Sequence, residues 1–337
     1  MKHILKKLKE QQDLSLEEVT ESFETILKTD VSAEMIGAFL MGLAQKGESA
    51  EEIAAAAQYL RSNANMLKAP DNAIDCCGTG GDVSGTYNIS TAVALICAAC
   101  DVPVAKHGNR AASSKSGAAD VLEALGVNID VPKERLEQAI EKYNFAFLMA
   151  PKHHQVLKPV GPIRKNLGFP TIFNLLGPLA NPAGTKTQLI GVFDKKWCRP
   201  MAEALKILGT KQAWVVHGQD GLDEITLTTD TNIVALEPDG RIHEFTISPK
   251  DYGLTECSPE DLKGGDAEEN AAALNELMNG EPSAYRDIAL LNAAAVLTLS
   301  GSSKDLKEGI EKASAAIDSK SVLENFENYK SFVKETA

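Results

Sequence analysis

Asp75-Cys76-Cys77-Gly78-Thr79-Gly80-Gly81-Asp82, then Thr86-Tyr87-Asn88-Ile89-Ser90-Thr91, then Lys106-His107-Gly108-Asn109-Arg110 form the part of this 337-residue sequence on which its reading turns. The short apolar run 73–77 predicts a buried strand. It ends in three glycines within four positions and an acid. Glycines let backbone N–H groups converge without Cβ obstruction, which suits an anion-binding nest. The plain alternative is a tight strand-to-helix turn with glycines for steric reasons. The cluster matches neither G-x-G-x-x-G nor the P-loop pattern. Ser90 or Thr91 is a natural N-cap for an apolar helix over 92–100, and a helix N-terminus attracts phosphate. A second strand, 102–105, delivers Lys106, His107 and Arg110 at its carboxyl end, where open α/β sheets bind ligands. These features point to a phosphorylated small molecule.

Working outward, residues 1–69 read as helical. Ser15-Leu16-Glu17-Glu18 and Ser49-Ala50-Glu51-Glu52 are capping boxes. Met35, Phe39, Leu40 and Leu43 follow helical spacing, with Gly47 as a stop. Pro70-Asp71-Asn72 is a turn, and the domain boundary is placed there: a helical domain, 1–69, and an α/β domain, 70–337. Beyond it, strands are expected at 73–77, 102–105, 127–131, 145–150, 189–192 and 213–217. Helices are expected at 92–100, 118–125, 133–143 and 201–208. That alternation implies a mostly parallel central sheet covered by helices. A β excursion is expected at 225–228, 233–236 and 242–247, then helices at 266–278 and 287–299. The tail beyond Ser302 reads as a charged, solvated helix.

Composition narrows the function. The formal net charge is -13, from 34 Lys+Arg against 47 Asp+Glu. Such a chain is a poor ligand for nucleic acid or an anionic membrane, and no apolar run is long enough to span one. The basic N-terminus lacks a signal peptide's apolar core. Of six cysteines, Cys97 and Cys100 form a lone C-x-x-C in an apolar helix. Buried, reduced thiols in a cytoplasmic protein are the simpler reading.

Four further clusters carry chemistry. Ser113-Ser114-Lys115-Ser116-Gly117 can grip a second phosphate or simply open a helix. His153-His154 is a poor bidentate metal pair, and His154 is either a pocket wall or a loop residue. Arg164 can hold a carboxylate through two parallel N–H bonds, or lie on a helix surface. His217-Gly218-Gln219-Asp220-Gly221-Leu222-Asp223-Glu224 places adjacent carboxylates, with Asp220 nearby, at the sheet's carboxyl edge. Hard oxygen ligands of this kind suit Mg²⁺, which needs few protein ligands when phosphates supply the rest. A solvated acidic turn is the alternative. Together the clusters suit a sugar diphosphate held through a divalent ion.

These motifs resemble those of the anthranilate phosphoribosyltransferase family. So do Thr171-Ile172-Phe173-Asn174-Leu175-Leu176-Gly177-Pro178-Leu179 and Gly264-Gly265-Asp266-Ala267 with Glu269-Asn270-Ala271. The likeness covers essentially the whole chain. It implies a small helical domain on a nucleoside phosphorylase/phosphoribosyltransferase-like α/β domain, and phosphoribosyl transfer to anthranilate in tryptophan biosynthesis. It also implies Mg²⁺, expected as two ions, and a homodimer through the helical domain. By motif, Gly78, Gly81, Asp82, Thr86, Asn88, Ile89, Ser90, Thr91, Lys106, His107, Gly108, Asn109, Arg110, Ala111, Ala112, Ser113, Ser114 and Ala118 fall to phosphoribosyl pyrophosphate. Gly78, Asn109, His154, Arg164 and Pro178 fall to anthranilate, and Ser90, Asp223 and Glu224 to the metal. His107 is the one candidate for catalysis by a side chain. Ala118 stands where the family usually has a small hydroxyl or thiol, and Ala111 replaces a common serine. Gln155-Val156-Leu157 replaces the usual Pro-Ala-Met, and Pro170 a common arginine. A nucleoside phosphorylase of the same architecture is the nearest competitor, and a non-catalytic or nucleic-acid-binding relative a more distant one. The Asp223-Glu224 pair and Asn109 speak against the first, and the acidic charge against the second.

Overall fold

The computed structural model describes residues 1–28, 30–82, 84–111 and 115–334. Four helices open the chain: α1 (Lys2–Lys9), α2 (Leu16–Lys28), α3 (Ala33–Lys46) and α4 (Ala50–Ser62). Both expected capping boxes form. Glu18 N–H donates to Ser15 Oγ while Ser15 N–H donates to Glu18 Oε2, and Ser49 and Glu52 do the same. Gly47 ends α3 at φ +85°, a conformation that strains any residue with a Cβ. The apolar stripes meet around Phe23, Phe39, Leu40 and Leu43, all fully buried.

The alternation after residue 70 folds as β1 (Ile74–Gly78), α5 (Ile89–Ala99), β2 (Val104–Gly108), α6 (Ala118–Ala124), α7 (Lys133–Tyr143) and β3 (Phe145–Met149). Next come α8 (Ala150–His153), a 3₁₀ turn at Gln155–Val160, α9 (Gly161–Leu167), α10 (Ile172–Leu179) and β4 (Thr187–Gly191). Then follow α11 (Cys198–Ile207), β5 (Gln212–Gly218), β6 (Thr231–Leu236) and β7 (Ile242–Ile247). Four helices close the chain: α12 (Ala267–Met278), α13 (Ala284–Ser300), α14 (Leu306–Asp318) and α15 (Ser321–Lys334). The sheet has seven strands in the order β3-β2-β1-β4-β5-β6-β7. The pairs from β3 through β5 are parallel, and β6 and β7 run antiparallel. Strand order reverses beside β1, which pairs β2 on one side and β4 on the other.

Two cores flank this sheet. One lies under α5, α13 and the C-terminal helices. The other joins α1–α4 to Val160, Phe173, Leu176 and Leu179 and to the opposite sheet face through Ile190 and Val215. The segment 160–180 therefore packs with the N-terminal helices.

Three expectations give way. Residues 127–131 form no strand: Val127 and Val131 are buried anchors of a loop that turns where Asp130 N–H donates to Asn128 Oδ1. Residues 225–228 also form no strand, because Ile225 is fastened by Asn292 at its N–H and its carbonyl. The tail is two helices rather than one solvated one. Phe326 and Tyr329 are buried, and Tyr329 meets Phe145 of β3 edge-on at 4.8 Å.

Candidate active site at the carboxyl edge of the sheet

Four of the five parallel-run strands end in glycine: Gly78, Gly108, Gly191 and Gly218. Each makes room for a neighbour. A Cβ on Gly78 would lie 2.3 Å from Asp223 Oδ2, and one on Gly191 would lie 1.5 Å from the Asp223 carbonyl oxygen. On Gly108 it would meet the Phe147 ring at 2.6 Å, and on Gly218 the Asp220 carboxylate at 2.3 Å. Asp223 thus lies directly on the ends of β1 and β4, at the point where strand order reverses, where ligands of open α/β sheets bind.

The glycine loop forms as expected, with Gly80 at φ +66° and Gly81 at φ +86°. Part of its donor capacity is already used: Gly80 N–H donates to Asp223 Oδ2 at 2.9 Å. The N-cap of α5 is Asn88, rather than Ser90 or Thr91. Asn88 is a cross-brace, receiving Asn270 Nδ2 at 2.9 Å and donating to the Ser116 carbonyl. The Ser90 N–H at this helix N-terminus is close enough to the Glu224 carboxylate to favour its charged form. Thr91 is wholly buried with its N–H on the Asn88 carbonyl, so its side chain does not reach the site surface. Ile89 is likewise core.

Lys106 is buried beneath this floor, donating to the Cys76 carbonyl at 2.9 Å and to Ser90 Oγ at 3.1 Å. Its charge faces too many acids. Burial, then the neighbouring Asp82 carboxylate, pushes the Asp223 carboxyl up to about 7. Burial, then Asp223, raises Glu224 well above the usual range, with Lys106 opposing. Buried carboxyls whose ionisation is opposed by desolvation and by each other fit a hard divalent cation such as Mg²⁺, whose charge would favour their ionised form. Among the described residues no three or more His, Cys, Asp or Glu surround one point, so the protein alone does not complete a coordination shell. Asp220 does not join them. Its carboxylate accepts from Thr226 Oγ1 at 2.7 Å and from Thr228 Oγ1, and braces the turn.

Thr86 is clasped by the C-terminal half. It bridges to Lys263, Tyr87 N–H donates to the Leu262 carbonyl, and Gly264 N–H donates to the Gly85 carbonyl. Asp82 accepts from Ser84 Oγ at 2.5 Å. Arg110 points away, paired with Asp120 and Glu123, so only its backbone faces the loop. Asn109 Oδ1 accepts from Arg110 N–H, and Ala111 N–H donates to Asp120 at 2.9 Å. Ala118 opens α6 beside Gly108. Ala112, Ser113 and Ser114 lie outside the described residues.

A second, less polar wall adjoins. His107 and His154 meet edge-on at 5.2 Å, and His107 Nδ1 lies 3.0 Å from the Gly177 carbonyl, next to Pro178. A carbonyl partner makes Nδ1 the protonated nitrogen, leaving Nε2 a buried acceptor without a partner. Burial holds His107 down to about 3 and His154 to about 4, so both are neutral. The Ala180 carbonyl is close enough to favour protonated His154, but neither ring nitrogen of His154 is aligned for a hydrogen bond. Arg164, on α9, lies over the Phe173 ring at 5.2 Å. No carboxylate pairs with it among the described residues, and burial lowers its pKa.

The chain resembles known proteins over nearly all of its length. The glycosyl transferase family a/b domain matches residues 70–322, and that family's helical bundle domain matches residues 2–64. Anthranilate phosphoribosyltransferase of Azospirillum brasilense is 53% identical over 95% of this chain and 89% of its own. That of Azorhizobium caulinodans is 52% identical over 91% of this chain and 89% of its own.

The chain belongs to the anthranilate phosphoribosyltransferase family.

Solved anthranilate phosphoribosyltransferases share the fold. That of Thermus thermophilus superposes with a TM-score of 0.92 at 40% identity, over 98% of this chain and 99% of its own. The Saccharomyces cerevisiae anthranilate phosphoribosyltransferase, solved in complex with PRPP and Mg, gives 0.90 at 29% identity, over 98% and 97%. The resemblance read from the motifs, the two-part architecture with a mostly parallel sheet, and the assignment as a pentosyl-transferring enzyme therefore hold. The sequence reading gave no role to Gly191, which lies within the expected strand 189–192.

Proposed function

We propose that this protein transfers the phosphoribosyl group of 5-phosphoribosyl 1-pyrophosphate (PRPP) to the amine of anthranilate. The products are N-(5-phosphoribosyl)anthranilate and pyrophosphate, in L-tryptophan biosynthesis. One observation carries the reading: the buried Asp223–Glu224 carboxyls lie at the same sheet edge as the neutral His107, and Arg164 has no carboxylate partner among the described residues. The first suits a polyanion brought in with a cation, and the second a small aromatic acid. Relatives support both halves, since the yeast enzyme was solved in complex with PRPP and Mg and in complex with 4-fluoroanthranilate.

In this reading Ser90, Asp223 and Glu224 would hold Mg²⁺, proposed as two ions. When bound, Mg²⁺ neutralises charge that builds on the departing pyrophosphate. The backbone around Gly78, Gly81, Asp82, Thr86 and Asn88, with the 106–114 and Ala118 region, holds the donor. Lys106 contributes charge from beneath. The bond between the anomeric carbon and pyrophosphate oxygen breaks through an oxocarbenium-like state as the C–N bond forms. The amine proton then passes to solvent or to the released pyrophosphate. An aryl amine is neutral and nucleophilic at pH 7, so little base strength is needed. His107, with its low pKa, suits accepting an N–H bond through Nε2 more than removing a proton. Arg164 pairs the acceptor carboxylate, and Asn109, Gly78, His154 and Pro178 align the ring.

The division near residue 69, a homodimer through the helical domain and a cytoplasmic setting belong to the same reading. Six unpaired thiols support the last of these. No described helix is long and apolar enough to cross a membrane. The decisive test is loss of anthranilate fluorescence on adding PRPP and Mg²⁺ to purified protein. Unchanged fluorescence, with no pyrophosphate released, would defeat the proposal.

A further inference from the structure

The last carbonyls of a helix have no intrahelical donor, and when buried they must find one elsewhere. At the end of α10 three successive carbonyls do so through side chains from three different elements. Gly177 faces His107 Nδ1 of β2 at 3.0 Å. Pro178 accepts from Gln188 Nε2 of β4 at 2.8 Å. Leu179 accepts from Arg61 Nε of α4 at 2.6 Å. Asn181 follows, with its Nδ2 on Asp75 Oδ2 at 2.7 Å and on the Ala105 carbonyl at 2.8 Å. Asp75 also accepts His107 N–H at 3.2 Å, so one buried carboxylate ties this strap to the end of β2.

Two of the three donors ride on sheet strands and cannot shift without the sheet. Arg61 differs. It sits in the last turn of α4, within the helical bundle, and reaches 118 residues along the chain. It has no carboxylate partner among the described residues. Its side chain is partly buried, and that burial lowers its pKa. A charged donor at 2.6 Å on a neutral carbonyl makes a strong, directional tether.

We propose that Arg61 is a positioning residue for the acceptor: through the Leu179 carbonyl it lets the helical bundle fix Pro178 against His107. The inference rests on the proposed function, in which Pro178 and His107 form the acceptor wall. Arg61 touches neither substrate. Displacing the bundle relative to the sheet pulls on Leu179 while the donor floor, built from β1, α5 and the 220–224 turn, stays in place.

The test is steady-state kinetics of Arg61→Met and Arg61→Lys, varying anthranilate and PRPP separately, beside thermal denaturation. Loss of one hydrogen bond predicts that Arg61→Met raises the anthranilate KM about five- to tenfold. The PRPP KM should move less than about twofold, and Arg61→Lys, which keeps a donor, should recover part of the loss. Equal rises in both KM values, or a folded Arg61→Met with wild-type anthranilate KM, would overturn the proposal. Should Arg61→Met fail to fold, Arg61→Lys and Arg61→Gln, which keep a donor on a shorter reach, decide by the same KM split: an anthranilate KM unchanged in both would overturn the proposal. Wild-type protein inert toward anthranilate would defeat the functional reading instead, so the two failures are distinct.

Discussion

Gly191 and Asp223 are in backbone contact: a Cβ added to Gly191 would fall 1.5 Å from the Asp223 carbonyl oxygen. No rotamer change relieves a clash with main chain. Gly191→Ala should therefore displace the 220–224 turn, lower stability by about 2–4 kcal/mol and raise the Mg²⁺ needed for half-maximal turnover. Urea midpoints and a Mg²⁺ titration check both. A variant with normal stability and normal Mg²⁺ dependence would mean that Asp223 is not held by this contact.

Asp223→Asn with Glu224→Gln should abolish turnover, by about a hundredfold or more. The same change removes buried like charges while leaving an oxygen for Gly80 N–H, so the metal-free protein should melt no lower than wild type. Ordinary activity at ordinary Mg²⁺ would exclude these residues as ligands.

Protonation of Asp223 should compete with the metal. Its folded pKa, about 7, lies above the ordinary 3.8. The folded state therefore binds more protons between those values, and the metal-free protein gains stability from this group as pH falls through that window. Mg²⁺ must displace the proton, so its effect on melting temperature should be larger at pH 8 than at pH 6. A pH-independent shift would contradict the charge assignment.

The neutral histidines act in the opposite direction. Unfolded His154 takes up a proton below 6.5, whereas the folded residue holds out to about 4. The unfolded state then binds more protons, so this contribution is complete above 6.5 and is lost as pH falls toward 4. The stability difference between wild type and His154→Gln should change by up to about 1.4 kcal/mol per pH unit across that window, in favour of the variant at low pH. Urea melts of both proteins between pH 7.5 and 5 measure it, and a constant difference would show that His154 titrates normally.

Arg164→Ala should raise the anthranilate KM about tenfold or more, the scale of a lost charge-assisted pair. The PRPP KM should hardly change. The reverse pattern would remove Arg164 from the acceptor side.

Local signals in the sequence were reliable where the physics is local. Ser15–Glu18 and Ser49–Glu52 close as capping boxes because both partners lie within one turn. The alternation of apolar runs found the strands that pair. It failed at 127–131 and 225–228, where the same composition anchors loops whose neighbours arrive from far along the chain. The tail's charge concealed Phe326 and Tyr329 at helical spacing on a buried face. In the site, residue types were legible but their commitments were not. Arg110 belongs to Asp120 and Glu123, Asp220 to two threonines, and Gly80 N–H to Asp223. Such choices depend on register between segments, which composition does not encode.

The clasp between Thr86 and Lys263 has a consequence for synthesis. The loop entering α5 is made early, yet Leu262, Gly264 and Asn270 that secure it leave the ribosome almost two hundred residues later. A nascent or prematurely terminated chain therefore carries the helical bundle and all five strands of the parallel run while its donor loop is still unfastened. Translation itself postpones the fastening of that loop until α12 has begun to emerge.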